Sequence, residues 1–189
     1  DRAMNAPETI AGLKFEQVTG AGGAIVHGVP QSGPADEATA EKLRRLLHVA
    51  QVLQSNALHF FHLASPDLLF GFDDAVPHRN IVGVLQDHRE LGLQGIKIRK
   101  YGQEVIRTLT GKRVHGTGSV PGGFNRALSV ADRDALRAEI GQIIDWCAAA
   151  LDLARDVFLA KIDEQGVFGN FPSLFMSLVR PDGAGDLYD

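Results

Sequence analysis

Two stretches of the 189-residue chain carry side chains whose types and spacing could do chemistry. The first pairs His59 with His62, three residues apart, with Ser55 on the same face if the segment is helical. Two imidazoles at that spacing can share a metal ion, because a neutral ring nitrogen is a common ligand. Such a site needs further donors, and neither a Glu-x-x-His nor a His-Glu-x-x-His pattern stands beside the pair. Phe60, Phe61 and Leu63 flank both rings, so packed, hydrogen-bonded structural histidines are the simpler reading. The second stretch is Gly116-Thr117-Gly118-Ser119-Val120-Pro121-Gly122-Gly123, preceded by Lys112, Arg113 and His115. Glycine-rich loops can cradle phosphate, but the known forms follow a strand and open a helix. Here the loop follows a helical stretch ending at Gly111, and its lysine precedes the glycines instead of closing them. The spacing fits neither the P-loop nor the dinucleotide fingerprint. Glycine also lets another backbone approach closely. That is the expected use of this loop, with Arg113 and His115 as the polar groups at its edge.

Other chemistries are excluded or reduced to structure. Cys147 is the one cysteine, so an intrachain disulfide, a Cys-x-x-Cys metal site and an iron–sulfur cluster held by this chain alone are all ruled out. At helical spacing with Ile140 and Ile143, Cys147 reads as a small buried hydrophobe. Lys97, Arg99, Lys100, Arg107, Lys112 and Arg113 form a cationic run that fits a solvated helix face and its C-terminal end. Without interleaved aromatic residues the run does not suggest nucleic-acid binding. A net charge of −4 supplies no general field for nucleic acid or an anionic membrane. No apolar run reaches the length of a membrane span and the opening residues lack a signal-peptide layout, so a cytoplasmic protein is expected.

The elements that must position these residues are mostly helices. From Asp36, the residues Leu43, Leu46, Leu47, Ala50, Leu53, Ala57, Phe60 and Phe61 recur at three- and four-residue steps. Ser65-Pro66-Asp67 interrupts that pattern, since proline stops one helix and suits the first turn of the next. Pro77 to about Asp87 predicts another helix, and Glu90 to Thr110 a longer one. In the longer helix Ile98, Gly102, Val105, Ile106 and Leu109 share a face. Glycine there costs about 1 kcal/mol against alanine, which predicts a tight helix crossing at Gly102. Gly111 suits the C-terminal cap. Ser129 with Asp132 forms a capping-box-like pair. It opens a last long helix whose stripe runs Leu136, Ile140, Ile143, Cys147, Leu151, Ala154 and Phe158 and ends near Gln165-Gly166. The predicted fold is all-α: a bundle of three to four main helices over residues 36–189, with a short extended segment at the C-terminal end. Residues 1–35 form a glycine-rich lead-in with strand-like pieces, Leu13 to Val18 and Ile25 to Val29, for which no role follows.

Three runs in series carry a family likeness. The first leads from Lys42-Leu43-Arg44-Arg45-Leu46 to Gln54-Ser55-Asn56-Ala57-Leu58-His59-Phe60-Phe61-His62-Leu63-Ala64-Ser65-Pro66-Asp67. The second is Arg99-Lys100-Tyr101-Gly102-Gln103-Glu104-Val105-Ile106-Arg107, running into Gly111-Lys112-Arg113-Val114-His115 and the glycine loop. The third is Leu178-Val179-Arg180-Pro181-Asp182-Gly183. Together they resemble the large subunit of cytoplasmic, NAD-linked (bidirectional) nickel–iron hydrogenases, over its central segment. Asn56 departs from the histidine usual at that position, and the stretch from Gly20 to Gly33 is longer than the family's usual connection.

The resemblance implies a parent enzyme that oxidises or forms hydrogen at a nickel–iron centre held by two Cys-x-x-Cys pairs. Neither pair is in this chain, so no cofactor, metal ligand or catalytic residue is expected in it, and the chain alone is expected to be inactive. It further implies that the loop formed by Gly116, Gly118, Pro121, Gly122 and Gly123 faces an iron–sulfur small subunit. Arg113 and His115 would then support an electron path or the metal surroundings without binding metal. His59, His62 and Asp67 would be structural supports on a buried helix. The implied partners are NAD-reducing diaphorase subunits together with that small subunit. The alternative is a catalytically silent scaffold or interaction protein derived from the same fold.

Overall fold

The computed structural model describes residues 9–10, 13–14, 16–19, 25–28, 37–120, 123–167 and 169–188. The chain is mainly helical, as the three- and four-residue periodicity predicts. In order, the elements are strands β1 (Thr9–Ile10), β2 (Leu13–Lys14), β3 (Glu16–Thr19) and β4 (Ile25–Gly28), helix α1 (Glu37–Leu58), a π-helical turn (His59–Ala64), α2 (Ser65–Phe70), α3 (Ile81–Asp87), α4 (Arg89–Thr110), strands β5 (Ser119–Val120) and β6 (Gly123–Phe124), α5 (Val130–Ala160) and the short α6 (Ile162–Gln165). Two compact units divide them: residues 1–54 with 100–139, and residues 55–99 with 140–189.

In the first unit, β1 pairs with β2 and β3 with β4, both antiparallel, the second in the register Glu16↔Gly28 through Thr19↔Ile25. The rest of the predicted lead-in, including Gly20–Gly23 and Gly33, lies outside the described residues. The core gathers Ala40, Leu43 and Ala50 of α1 with Tyr101, Val105, Ile106 and Leu109 of α4, and adds Phe124. A Cβ added at Gly102 would stand 2.9 Å from Gln54 Cβ and 3.0 Å from the Ala50 carbonyl oxygen. The predicted tight crossing is therefore real, and its partner is α1. The start of α5 is fixed by the predicted pair: the Ser129 hydroxyl accepts the Asp132 backbone N–H at 3.0 Å and donates to Asp132 Oδ2 at 2.8 Å. Tyr101 adds a tie by donating its hydroxyl to the Leu136 carbonyl at 3.0 Å.

In the second unit the sequence reading needs two corrections. Pro66 stands in the first turn of α2, as expected, but the helical path is not stopped before it: the chain passes through Ser65 in helical geometry from a wider turn. Proline has no N–H for the carbonyl four residues back, and its ring crowds that carbonyl. The preceding turn, His59–Ala64, accordingly opens into π geometry before α2 begins. The buried Ser65 hydroxyl is satisfied by the Phe61 carbonyl at 2.7 Å. Second, α3 starts at Ile81, later than the predicted Pro77, because the Asn80 side chain takes the capping role. Its Oδ1 accepts the N–H groups of Val82 (2.8 Å) and Gly83 (3.3 Å). Phe61, Val84, Ile98, Ile143 and Ala150 are buried in this unit, and a Cβ at Gly95 would fall 2.3 Å from Phe61 Cβ, so α4 lies directly against the π turn.

The predicted stripe of α5 is only partly covered. Ile143 is buried and Cys147 half-buried, but Ile140, Leu151 and Phe158 are exposed, while Ala150, outside the predicted stripe, is buried. After α6 and Gly166, the tail runs without a helix and closes in one bridge, Val179 to Gly185, which matches the predicted extended segment.

Candidate functional site

The segment from Thr110 to Asn125, in the first unit, is built by its own short-range contacts. Helix α4 ends at Thr110, and Gly111 takes the left-handed conformation at φ 79°, its N–H closing on the Arg107 carbonyl at 2.7 Å. The Thr110 hydroxyl then sits 2.8 Å from the Ile106 carbonyl and 2.9 Å from that of Lys112, pinning the chain as it leaves the helix. Beyond it, β5 and β6 pair as a two-residue antiparallel ladder, Ser119↔Phe124 and Val120↔Gly123. Pro121 and Gly122, between the strands, lie outside the described residues. Asn125 secures the ladder from below: its backbone N–H donates to the Gly118 carbonyl at 2.7 Å and its side-chain amide to that of Thr117 at 2.5 Å. Arg44 of α1 reaches the Gly123 carbonyl at 3.5 Å.

The glycines are used differently from the expectation. A Cβ at Gly116 would fall 2.0 Å from the Thr110 hydroxyl, and one at Gly118 would fall 2.6 Å from the Phe124 ring. At both positions the chain's own packing already excludes a side chain. Gly118 is buried, whereas residues 113–117 are exposed. Gly123 has open space around its Cβ direction. Phe124, which sequence reasoning missed, is fully buried and is the apolar anchor of the segment. Its only signal was an aromatic residue placed straight after the glycines.

Arg113 and His115 stand where the sequence placed them, at the exposed edge. Arg113 donates to Glu104 Oε2 at 3.2 Å, and Arg107 donates from Nε to both oxygens of the same carboxylate at 2.9 and 3.0 Å. The Arg107 hydrogen bonds, and after them that of Arg113, hold the Glu104 carboxyl below its ordinary value against the opposing effect of burial. Glu104, also missed, is therefore an ionised anchor tying the loop back to α4. His115 has φ 52°, the one non-glycine residue at positive φ among those described. Histidine is among the residues that tolerate this region better than most.

The loop belongs to the first unit and the histidine pair to the second. His59 is exposed, while His62 is half-buried with its Nδ1 enclosed and without a hydrogen-bond partner. With more residues per turn, the π turn leaves residues three apart further short of a full turn than an α-turn would, so their side chains diverge. Asp67 pairs with Arg79 at 3.2 Å and its carbonyl accepts the Gly71 N–H at 3.0 Å, so it holds the loop after α2. Among the described residues no group of three or more His, Cys, Asp or Glu side chains is arranged to hold a metal. Burial pushes the Cys147 thiol up. A cation–π contact not foreseen from sequence places Lys97 Nζ 5.3 Å from the Trp146 ring centre. No helix among the described residues is long and apolar enough to cross a membrane.

Comparison with known proteins finds similarity to hydrogenase subunits. No family model matches the chain. It is 41% identical over 156 residues to the NAD-reducing hydrogenase HoxS subunit beta of Cupriavidus necator, covering 79% of this chain and 32% of that protein. It is 33% identical over 150 residues to a subunit of the F420-non-reducing hydrogenase vhu from Methanocaldococcus jannaschii, covering 79% of this chain and 36% of that one. The crystal structure of an NAD+-reducing NiFe hydrogenase in the H2-reduced state superposes with a TM-score of 0.77 at 49% identity, over 80% of this chain and 34% of that chain. The chain spans about a third of the length of the curated relatives it matches.

Proposed function

We propose that the chain is a central segment of the large, catalytic subunit of a cytoplasmic NAD-linked nickel–iron hydrogenase. In the parent complex, hydrogen is oxidised reversibly and electrons leave through an iron–sulfur small subunit toward NAD-reducing diaphorase subunits. The observation that carries this reading is the structural likeness to the NAD+-reducing enzyme, at 49% identity over 80% of the chain. The surface supports it from another direction. Leu174, Phe175 and Met176 are 99%, 91% and 99% exposed, and Ile140, Ile144 and Leu151 project from α5. Apolar side chains left so bare mark a surface that further polypeptide covers. The enclosed His62 Nδ1 and Arg99 Nε lack partners, and each such atom costs about 1–3 kcal/mol until one is supplied.

The residues present do not fit a nickel–iron centre. Such a centre takes soft thiolate ligands, whereas the chain has a single cysteine. That cysteine is half-buried in a setting that favours the neutral thiol. No step of the reaction is therefore assigned to this chain. Its contribution is positional: α4, anchored on α1 through Gly102, presents the loop, and Glu104, Asn125 and Phe124 hold the loop so that His115 stands at its rim. In this reading that rim, with Gly116, Gly118 and Gly123, faces the small subunit, as does the sequence between the strands, Pro121 and Gly122, which lies outside the described residues. His59, His62 and Asp67 brace the second unit.

The test is His115→Ala in the full-length parent protein. Hydrogen-dependent reduction of NAD should fall severalfold, while nickel content by elemental analysis and hydrogen–deuterium exchange activity stay at the unsubstituted level. Loss of nickel would place the histidine in support of the metal site and refute the positional reading.

A further inference from the structure

We propose that Asp74, His78 and Asp87 form a pH-operated latch that ties the loop between α2 and α3 to the C-terminal end of α3. His78 Nδ1 lies 2.5 Å from Asp74 Oδ2, and His78 Nε2 lies 3.0 Å from Asp87 Oδ2. An ionised carboxylate only accepts hydrogen bonds, so each ring nitrogen must donate. A neutral imidazole carries one N–H and can satisfy one of the two carboxylates. The geometry therefore requires the imidazolium, which donates at both nitrogens and meets a negative charge on each side. Removing one proton breaks one of the two bonds outright, which makes the bridge a two-state element and not a gradually weakening ion pair.

The surroundings favour the closed form. Phe70, at the end of α2, lays its ring against His78 with centroids 4.2 Å apart, where a cationic imidazole gains from the aromatic face. Charged groups also stand at the loop itself: Asp73 precedes Asp74, and Lys161 Nζ lies 2.9 Å from where a Cβ at Gly71 would stand. Arg79 pulls on the Asp74 carboxylate while pairing with Asp67 of α2, and His88 approaches the Phe70 ring at 5.9 Å. Arg89 and Glu90 open α4 beside Asp87. The hydrogen bond from Asp74 raises the pKa of His78 above its ordinary 6.5, against the opposing effect of burial and with help from Asp87. The bond from His78 lowers Asp74 below its ordinary 3.8. The signs then fix the window. Stability from a raised histidine is complete below 6.5 and is lost as pH rises through the raised value. Stability from a lowered aspartate is present above 3.8 and is lost as pH falls through the lowered value. The latch is closed between these limits and opens on the alkaline side.

What it restrains is specific. The loop leaves α2 at Gly71, in the left-handed conformation at φ 87°, and returns at Asn80, the cap of α3. At its far side the His78 carbonyl abuts α3 so closely that a Cβ at Gly83 would fall 2.1 Å from it. With the Asp87 bond gone, the loop keeps its Asn80 cap and its Arg79–Asp67 pair but loses its tie across α3. Asp87 is then released into an open groove of about 500 Å³ lined also by His88, Arg89, Glu90, Leu91 and Gln94.

The experiment is nuclear magnetic resonance on the isotopically labelled 189-residue chain, following the His78 imidazole and the amide exchange of residues 71–88 across the neutral range. His78 should titrate above the ordinary histidine value, and loop amides should exchange severalfold faster once pH passes that midpoint, with α5 amides unchanged. Asp74→Asn should bring the midpoint down toward the ordinary value. His78→Gln should abolish the pH step in loop exchange. Asp87→Asn, a surface change that leaves the Asp74 bond in place, should keep a raised midpoint but remove the step. A His78 midpoint at or below the ordinary value, or loop exchange that ignores that midpoint, overturns the proposal.

Discussion

Three glycines at helix-interior positions separate backbone propensity from packing, because replacing each by alanine brings the same helical gain into different surroundings. Glycine in mid-helix costs about 1 kcal/mol relative to alanine. At Gly141 of α5 nothing lies within 4 Å of the new Cβ, so Gly141→Ala should stabilise by about 0.5–1 kcal/mol. For a chain of this size that is a rise of roughly 1–4 °C in Tm. At Gly102 the new Cβ meets Gln54 Cβ at 2.9 Å, the Ala50 carbonyl oxygen at 3.0 Å and the Gln54 nitrogen at 3.1 Å. Two of those atoms are main chain, so relief requires α1 itself to shift. Overpacking of this kind costs about 1–3 kcal/mol. Set against the propensity gain, Gly102→Ala should be destabilising by up to about 2 kcal/mol. Gly95 is tighter: Phe61 Cβ, Cγ and Cδ1 would stand at 2.3, 2.4 and 2.8 Å. Rotating the ring cannot move Cβ, and Phe61 is 4% exposed with no space to retreat into. Gly95→Ala should therefore cost about 2 kcal/mol or more after the propensity gain. Urea unfolding followed by far-ultraviolet circular dichroism reads all three midpoints. If Gly95→Ala raised the midpoint as Gly141→Ala does, the close contact between α4 and the π turn would be wrong.

Two further outcomes follow from single groups. Ser129→Ala removes the cap that Asp132 shares and should destabilise by about 1 kcal/mol, whereas Ser129→Thr, which keeps the hydroxyl, should lose much less; equal losses in urea midpoints would show that the hydroxyl does not cap α5. Cys147 should alkylate only at higher pH in the folded chain than in urea, because burial disfavours its thiolate. A folded chain that reacts at the lower pH would refute that environment.

The helices were legible because their apolar residues repeat at the helical period, and the Ser129–Asp132 cap because its chemistry is local. Gly102 was legible for a subtler reason: a glycine in so regular a helix needs a neighbour to justify it. The π turn was not, since it arises from the Pro66 ring acting on a carbonyl one turn earlier, and sequence shows the proline without showing which way the helix yields. Phe124 sits outside any period, so nothing marked it as core. Nothing in the sequence marked Asp74, His78 and Asp87 as a cluster, because their meeting depends on how the loop folds back. Ile140, Leu151 and Phe158 were placed in the buried stripe and are exposed. An apolar stripe states what a helix needs to cover, and it is silent on which residues do the covering.

The loop between α4 and α5 shows how a site can be half legible. Its residue types pointed to close backbone approach, and close approach is what Gly116 and Gly118 provide, but toward Thr110 and Phe124 of the same chain. That difference changes what the loop can do. A loop whose glycines awaited a partner would be shaped by that partner. One whose glycines are filled internally is shaped by its own chain at those positions: Phe124 is buried, Asn125 is bonded to two carbonyls and Arg113 is tied to an ionised Glu104. Conformational entropy is already lost on folding, so a group carried at the rim is presented without a further ordering cost on contact. His115, at positive φ and exposed, is that group. Histidine tolerates this left-handed conformation better than most residues, and the contacts of Thr110, Arg113 and Asn125 fix the chain on either side of it.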